Sequence, residues 1–203
     1  MKSFNELADD QTITSTIQAL KTNGIEAIVA ENGTAARTKV LEMLPKGAEV
    51  MNMSSVTLET LGIDREINES GNYDAVKPKL MKMDRQTQAI EMQKLGAAPM
   101  WAVGSVHTVT EDGKVLIASN TGSQLPSYAY ASAHIIWIVG TQKIVKNLDE
   151  GMKRIYEYIV PLEEKHMKKL YNVGTNVSKI LIVNKEIVPG RITIIFVKEK
   201  LGY

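Results

Sequence analysis

Apolar residues along the first sixty positions alternate between the spacing of helices and the spacing of strands. Residues 5–23 repeat apolar side chains every three or four positions, which predicts a helix, and residues 25–30 predict a strand. A second helix is predicted from an N-cap at Thr34 to Leu44, and a second strand follows at 49–53. This alternation indicates right-handed crossover units and a parallel sheet.

The middle of the chain changes character twice. Residues 63–96 are polar with helical spacing, which predicts helices lying across the sheet rather than a separate domain. Residues 100–119 predict two strands joined by a turn at 111–113, because Asp-Gly is a strong hairpin signal. A short helix is predicted after them, over residues 125–133.

A continuous apolar run at residues 134–139 dominates the last third of the chain. Such a run is expected of a strand that is buried on both faces of a sheet. The next helix is predicted from Leu148, and Pro161 should kink or restart it because proline lacks a backbone N–H. Two strands, 179–183 and 191–197, close the chain. The whole pattern predicts the α/β fold class.

The composition is that of an ordinary globular protein with few options for metal or redox chemistry. The 203 residues are 44% hydrophobic and 23% charged, and the net charge of +1 argues against a nucleic-acid platform. There is no cysteine, which excludes a disulfide, a thiolate zinc site and an iron–sulfur cluster of the chain's own. The three histidines lie far apart without metal-ligand spacing, so we predict neither a metal nor another cofactor.

The N-terminus and the hydropathy bear on where the protein resides. The first residues are too polar and acidic for a signal peptide, and no apolar run reaches the ~20 residues of a membrane helix. We therefore expect a cytoplasmic protein without membrane contact.

Polar and glycine-containing segments follow several of the predicted strands. In an open α/β sheet, ligands bind beyond the carboxyl ends of the strands, where backbone N–H groups suit phosphate or carboxylate. The residues expected to bind an anionic small molecule are Ser54, Ser55, Asn120, Thr121, Gly122, Ser123, Gln124, Gly140, Thr141, Gln142, Lys143 and Arg191.

Each of these segments also has a purely structural explanation. Ser54 and Ser55 can cap a helix, and Gly122 can supply a positive φ for a turn. Lys143 can be an exposed lysine without a partner, and Arg191, directly after a turn, can form an ion pair. The sequence leaves both explanations open for every segment.

Two residues in the hairpin region are candidates for catalytic acid–base chemistry. His107 is placed on a predicted strand, and an ordinary histidine pKa of about 6.5 suits hydrogen bonding or proton transfer. The alternative is a structural histidine that is bonded to nearby backbone. Glu111 is a candidate acid, base or nucleophile if its turn lies at the mouth of the pocket.

Four segments of the sequence resemble one known family. They are SSVTLETLGI, VHTVTEDGKVL, TGSQLPSYAYASAHIIWIVGTQKIV and NLDEGMKRIYEYIVPLE, and they resemble the LUD-domain family, which includes bacterial lactate-utilisation proteins. The resemblance divides the chain into an N-terminal helical segment, 1–24, and a LUD domain, 25–203. It implies a three-layer α/β/α fold with a mostly parallel central sheet, as in glucosamine-6-phosphate deaminase, ribose-5-phosphate isomerase and CoA transferases.

The resemblance also bears on the candidate site residues. Many relatives have asparagine where this chain has His107, and a Gly-Asn-Arg segment where it has Gly122-Ser123-Gln124. The Gly-x-x-Lys element of the family is retained between Gly140 and Lys143. The chain therefore resembles a divergent branch, in which the pocket persists with altered chemistry.

The function implied by the resemblance is a role in organic-acid metabolism of the lactate type. The protein would bind an anionic metabolite, either as an enzyme or as the partner of an iron–sulfur oxidoreductase subunit, and the fold also admits a homodimer. The alternative from another functional class is a non-catalytic module that senses such a ligand. Family resemblance does not decide between them, because one fold hosts unrelated chemistries.

Overall fold

A six-stranded parallel sheet lies at the centre of this protein, whose computed structural model describes residues 4–203. The order of the strands across the sheet differs from their order in the chain, because the last strand lies between the first and the middle ones. From one edge to the other they are β1 (Glu26–Ala30), β10 (Ile192–Val197), β7 (His134–Gly140), β4 (Trp101–Gly104), β2 (Glu49–Asn52) and β3 (Asp74–Ala75).

Strand β7 is buried on both faces, as its continuous apolar sequence predicts. Trp137 belongs to the core on one face of the sheet, and Ile136 and Ile138 belong to the core on the other. All three side chains are fully buried. Because parallel strands are covered on both sides, the burial of β7 indicates a layer of structure on each face.

Helices α2 (Gly33–Met43), α3 (Val56–Thr60) and α4 (Ile63–Glu69) form the layer on one face. Helix α1 (Asp10–Thr22) packs on the other face through Ile13 and Leu20. The mixed α/β class and the mostly parallel central sheet are thus confirmed. The prediction that Thr34 caps the second helix is wrong: Asn32 is the N-cap, and its Oδ1 accepts a hydrogen bond of 2.9 Å from the backbone N–H of Ala35.

A second sheet of four strands shares the layer that contains α1. In their spatial order, the first two strands pair in parallel, and the other two pairs are antiparallel. Val109 and Ile117 face the central sheet, whereas Leu116 faces the helical segment after residue 148. In order, the strands are β8 (Ile144–Val145), β5 (Thr108–Thr110), β6 (Val115–Ser119) and β9 (Lys179–Val183).

The stretch predicted as one hairpin is divided between the two sheets. Strand β4 pairs within the central sheet, the chain bends at residues 105–107, and β5 then pairs with β6 in the second sheet. The turn at 111–113 is as predicted, with Gly113 at a φ of +80°. His107 therefore lies in the bend between the sheets and not on a strand. The two closing strands are likewise in different sheets.

A long helical segment begins at Leu148 and covers the outer face of the second sheet. It consists of α7 (Leu148–Lys153), a π-helical stretch (Arg154–Ile159) and α8 (Val160–Tyr171). The prediction of a helix restarting at Pro161 is confirmed, because Pro161 is the second residue of α8 and the π-helical stretch ends just before it.

The remaining helices are short and lie at the edge of the central sheet. Helix α5 (Val76–Met81) contacts β2, and α6 (Ala89–Ala97) packs on α5 without burying a residue. The helix predicted over 125–133 is a π-helical turn, Ser127–Ala131. Among residues 4–203 no helix has the length and apolar character needed to cross a membrane.

Candidate functional site

A cleft of about 590 Å³ opens where the carboxyl ends of β2 and β4 face the second sheet and the π-helical stretch. Residues 53–57 after β2 and residues 105–107 after β4 form one side. The end of β6 and the side chains of Ile155 and Ile159 form the other. The cleft therefore lies where ligands bind in open α/β sheets, beyond the carboxyl ends of the strands.

The structure brings most of the predicted polar segments together at this cleft. Its lining includes His107 from the bend between the sheets and Lys143 from the end of the short 3₁₀ turn after β7. The other predicted ligand-binding residues in the lining are Ser54, Ser55, Asn120, Thr121, Ser123 and Gln124.

Lys143 is buried beside the cleft, and its ammonium forms hydrogen bonds only with neutral groups. Its side chain passes between the two sheets, and Nζ donates to the hydroxyl of Ser105 at 3.1 Å and to the carbonyl of Val106 at 3.2 Å. A third contact, to Thr57 Oγ1, is 3.4 Å long. None of the ion pairs formed within residues 4–203 involves Lys143. Burial, and to a smaller extent the charge of Arg154, together lower the pKa of Lys143 to about 7.

Arg154, at the start of the π-helical stretch, is a second buried cation that the sequence reasoning did not identify. Its Nη1 donates to the backbone carbonyl of His107 at 2.6 Å, and the guanidinium lies 5.3 Å from the ring centre of Tyr158. Its Nε and Nη2 have no hydrogen-bond partner, and none of the ion pairs of the described chain includes it. Burial lowers its pKa to about 10. The only sequence signal was an arginine beside the apolar face of a predicted helix.

The two cations bind consecutive carbonyl groups of the bend between the sheets. Lys143 binds the carbonyl of Val106, and Arg154 binds the carbonyl of His107. Peptide carbonyls satisfy N–H donors but carry no net charge, so neither positive charge is compensated by these bonds. Lys143 lines the cleft, whereas Arg154 lies behind the lining, at the carbonyl of His107.

His107 is held as a neutral imidazole between these cations. Its Nδ1 accepts a hydrogen bond of 3.1 Å from the backbone N–H of Ala118, which places the ring proton on Nε2. Burial, as the largest cause, together with the charges of Lys143 and then Arg154, lowers its pKa to about 3. The ordinary pKa expected from sequence is therefore wrong. At neutral pH the ring offers a hydrogen-bond donor and does not act as a base through Nδ1.

The polar loop after β6 is organised by its own hydrogen bonds. Ser119 Oγ accepts from the backbone N–H of Gly122 at 2.8 Å and donates to Gln124 Oε1 at 2.9 Å. Gly122 is outside the cleft lining and has a φ of +85°, where an added Cβ would lie 2.6 Å from the Lys179 side chain. Thr121 and Ser123 bind each other through their hydroxyl groups, 3.1 Å apart. The hydroxyls of this loop face the cleft, whereas Gly122 shapes the turn.

The loop from Gly140 to Gln142 lies behind the cleft and holds the C-terminal segment. A Cβ on Gly140 would lie 2.7 Å from the carbonyl oxygen of Glu199 and 2.9 Å from the nitrogen of Leu201. The side-chain amide of Gln142 donates to the carbonyl of Leu201 at 3.0 Å. Thr141 is fully buried and also lies outside the cleft lining. Gly140 therefore allows backbone atoms of Glu199 and Leu201 to approach closely, where the sequence had predicted a ligand.

Arg191 and Glu111 are placed away from the cleft. The guanidinium of Arg191 forms a buried ion pair of 2.6 Å with Glu186, and it donates to the carbonyl groups of Ser132, Ser127 and Tyr128. These are backbone groups of the π-helical turn and its end, so Arg191 binds that turn to the start of β10. Glu111 is exposed on the hairpin turn.

Other groups at the cleft were not anticipated from the sequence. The aromatic ring of Tyr128 forms part of the lining, and its hydroxyl occupies the space that a Cβ of Gly104 would need. Tyr203 also lines the cleft and donates its hydroxyl to the carboxylate of Glu163. No three side chains among His, Asp and Glu within residues 4–203 are grouped as a metal site.

The chain resembles known proteins in both sequence and fold. A family model described as the LUD domain matches residues 13–197. The structure is similar to the crystal structure of a DUF162-family protein from Deinococcus radiodurans, with a TM-score of 0.58 and 9% sequence identity over 95% of this chain and 99% of the other. At that identity the likeness concerns the fold. No protein with a curated description matches the chain.

Proposed function

Because the chain belongs to the LUD-domain family, we propose that it binds a small organic anion in the cleft beside Lys143. The biological setting we infer is organic-acid metabolism of the lactate type. The observation that carries the proposal is the pair of buried cations, Lys143 and Arg154, which have no carboxylate partner in the described chain. A buried charge without a counter-ion is costly, and a bound anion would remove that cost.

The chemical groups around the cleft suit a small carboxylate with a neighbouring oxygen. Nε2–H of His107 is a neutral donor, which can bind a carbonyl or hydroxyl oxygen without adding a third charge. Ser105, Thr121 and Ser123 add hydroxyl groups that can both donate and accept. Binding would combine one strong charge interaction with several directional hydrogen bonds, which is the usual arrangement in metabolite sites.

The proposed site is smaller than the set of residues expected from sequence. We keep Ser54, Ser55, His107 and Lys143 together with the hydroxyl and amide groups of loop 120–124. We leave out the residues that lie outside the cleft lining, namely Glu111, Gly122, Gly140, Thr141, Gln142 and Arg191.

Calorimetric titration of the purified chain with lactate, pyruvate, acetate and inorganic phosphate tests the proposal. We expect at least one carboxylate to bind, and Lys143→Met to weaken it at least tenfold, or about 1.4 kcal/mol. Lys146→Met is the matched control, since Lys146 is exposed three residues further on. Unchanged affinity in Lys143→Met would show that the site lies elsewhere.

The same anion could be bound for sensing instead of turnover. We propose the sensing role as the second candidate, because Nδ1 of His107 accepts the backbone N–H of Ala118 and the low pKa of this residue does not suit it as a base at neutral pH. Steady product formation by the isolated chain would exclude a purely sensing role. Copurification with an iron–sulfur oxidoreductase subunit would instead favour a role as its partner, and light scattering would test for a homodimer.

A further inference from the structure

The amino nitrogen of Lys143 is placed where it can do more than attract an anion. We propose that Lys143 forms an imine with the ketone carbon of a 2-oxo acid bound in the cleft. This inference rests on the proposed function and narrows its ligand to carboxylates that carry an adjacent carbonyl group. The supporting features are the position of Nζ, its surroundings and the donors beside it.

Nζ of Lys143 lies at the cleft, and within residues 4–203 no hydrogen bond or ion pair joins it to an acidic group. Glu59 and Glu163 belong to the lining, but neither contacts Nζ. Its three neighbours are two hydroxyl oxygens and one peptide carbonyl. A lysine that is paired with a carboxylate stays protonated and cannot attack a carbonyl carbon. Burial and the nearby charge of Arg154 lower the pKa of Lys143 to about 7, so both the amine and the ammonium are populated at neutral pH.

The ligand class follows from the other groups beside Nζ. Arg154 lies behind the lining, at the carbonyl of His107, and its positive charge still favours a negatively charged ligand after Lys143 has become neutral. The carbonyl oxygen of the same molecule can accept from Nε2–H of His107, which draws electrons from the carbonyl carbon. A ketone directly attached to a carboxylate satisfies both requirements within one small molecule.

Imine formation balances without any external oxidant or reductant. The lone pair of Nζ forms a bond to the ketone carbon, and the carbonyl π electrons move to oxygen, which takes up a proton. The resulting carbinolamine loses its hydroxyl group with a proton as one water molecule, which leaves a C=N bond between ligand and lysine. Ser105 Oγ lies 3.1 Å from Nζ and can pass the proton from nitrogen to the departing oxygen.

Reductive trapping tests the inference on the full chain. The protein is incubated at neutral pH with sodium cyanoborohydride and, in separate samples, pyruvate, 2-oxobutyrate or 2-oxoglutarate. Hydride adds to the imine carbon and turns the reversible bond into a stable secondary amine. We expect one adduct per chain, assigned to Lys143 by peptide mapping, and no adduct with lactate, which has the same carboxylate but no ketone.

Two variants separate specific reaction from general lysine chemistry. Lys143→Arg keeps a positive charge but cannot form an imine, and it should abolish the adduct. Lys146→Arg changes an exposed lysine three residues away and should trap as much as the wild type does. Should Lys143→Arg fail to fold, as circular dichroism would reveal, the mapped position of the adduct in the wild-type chain decides the question by itself.

Calorimetry in the absence of reductant distinguishes failure of this inference from failure of the proposed function. A 2-oxo acid that binds in the cleft but leaves Lys143 unmodified after reduction overturns the imine while anion binding stands. Adducts spread over exposed lysines, without preference for Lys143, overturn it as well. If none of the carboxylates binds, both the imine and the proposed function are wrong.

Discussion

The backbone N–H of Ala118 donates a hydrogen bond of 3.1 Å to Nδ1 of His107. Ala118 lies on β6, and His107 lies in the bend that leads from the central sheet to β5. This bond fixes the ring orientation and leaves Nε2 as the protonated nitrogen. A histidine that is held in this way has one N–H, at Nε2, left to donate, and its neighbours Lys143 and Arg154 oppose a second ring proton.

The first prediction is that His107 stays neutral across the physiological range. Its pKa is lowered to about 3, mainly by burial, so two-dimensional ¹H–¹⁵N spectra should show the Nε2–H tautomer from about pH 8 down to about pH 5. A titration midpoint at the ordinary histidine value of about 6.5 would contradict this. In His107→Asn the corresponding imidazole signal disappears, which provides its assignment.

The second prediction concerns the stability of the protein at alkaline pH. The pKa of Lys143 falls from 10.5 to about 7 on folding, so between these values the unfolded chain binds more protons than the folded chain. The free energy of unfolding should therefore rise with pH over this window. Below the window both states are protonated, so Lys143 adds no slope there and the cost of burying its charge is at its full value. Urea titrations at several pH values should show a smaller slope for Lys143→Met. Lys146→Met, on the exposed surface, should keep the wild-type slope.

The third prediction tests the close contact between β4 and the π-helical turn. A Cβ on Gly104 would lie 1.9 Å from the hydroxyl oxygen of Tyr128 but 3.2 Å from its ring carbon Cζ. Gly104→Ala should thus destabilise the fold by about 1–3 kcal/mol through overpacking. Tyr128→Phe should recover part of this loss in the double variant, as measured by urea denaturation. Strictly additive effects would contradict the contact.

The fourth prediction concerns the loop behind the cleft. In Gly140→Ala the added Cβ would meet backbone atoms of Glu199 and Leu201, which cannot move aside as a flexible side chain can. We expect a lower melting temperature, with a cost of about 1–3 kcal/mol. Gly174→Ala is the control, because no atom lies within 4 Å of a Cβ there and its φ is not positive. Equal melting temperatures for the two variants would refute the proposed packing.

The fifth prediction separates a structural cation from the cationic site. Burial tends to raise the pKa of Glu186, but hydrogen bonds from Val188 and Arg191 lower it overall, so its carboxylate is charged in the fold. Arg191→Met leaves the buried carboxylate of Glu186 without its ion-pair partner and should cost about 3–5 kcal/mol of stability. Because Arg191 lies outside the cleft, the folded fraction should bind the carboxylate with wild-type affinity. A reduced affinity for the carboxylate in calorimetry would show that Arg191 contributes to ligand binding.

Predictability from sequence differed between elements for physical reasons. The apolar run of β7 was correctly interpreted because a strand covered on both faces requires apolar side chains at every position. The N-cap of α2 was misplaced by two residues, because Asn32 and Thr34 are both chemically able to cap and only the backbone angles select one. The stretch around His107 was misinterpreted because two short strands in different sheets have the same local pattern as one longer strand.

The sequence alone determined most of the longer helices and strands and several of the polar loops that follow strands of the central sheet. Those properties depend on apolar spacing and local backbone preferences, and these extend over only a few residues. Tertiary structure decided the charges at the cleft: Arg154 meets the carbonyl of His107 across 47 positions of the chain, and Lys143 becomes buried between two sheets. Burial and distance to other charges set a pKa, and neither is encoded in the residues adjacent to a lysine.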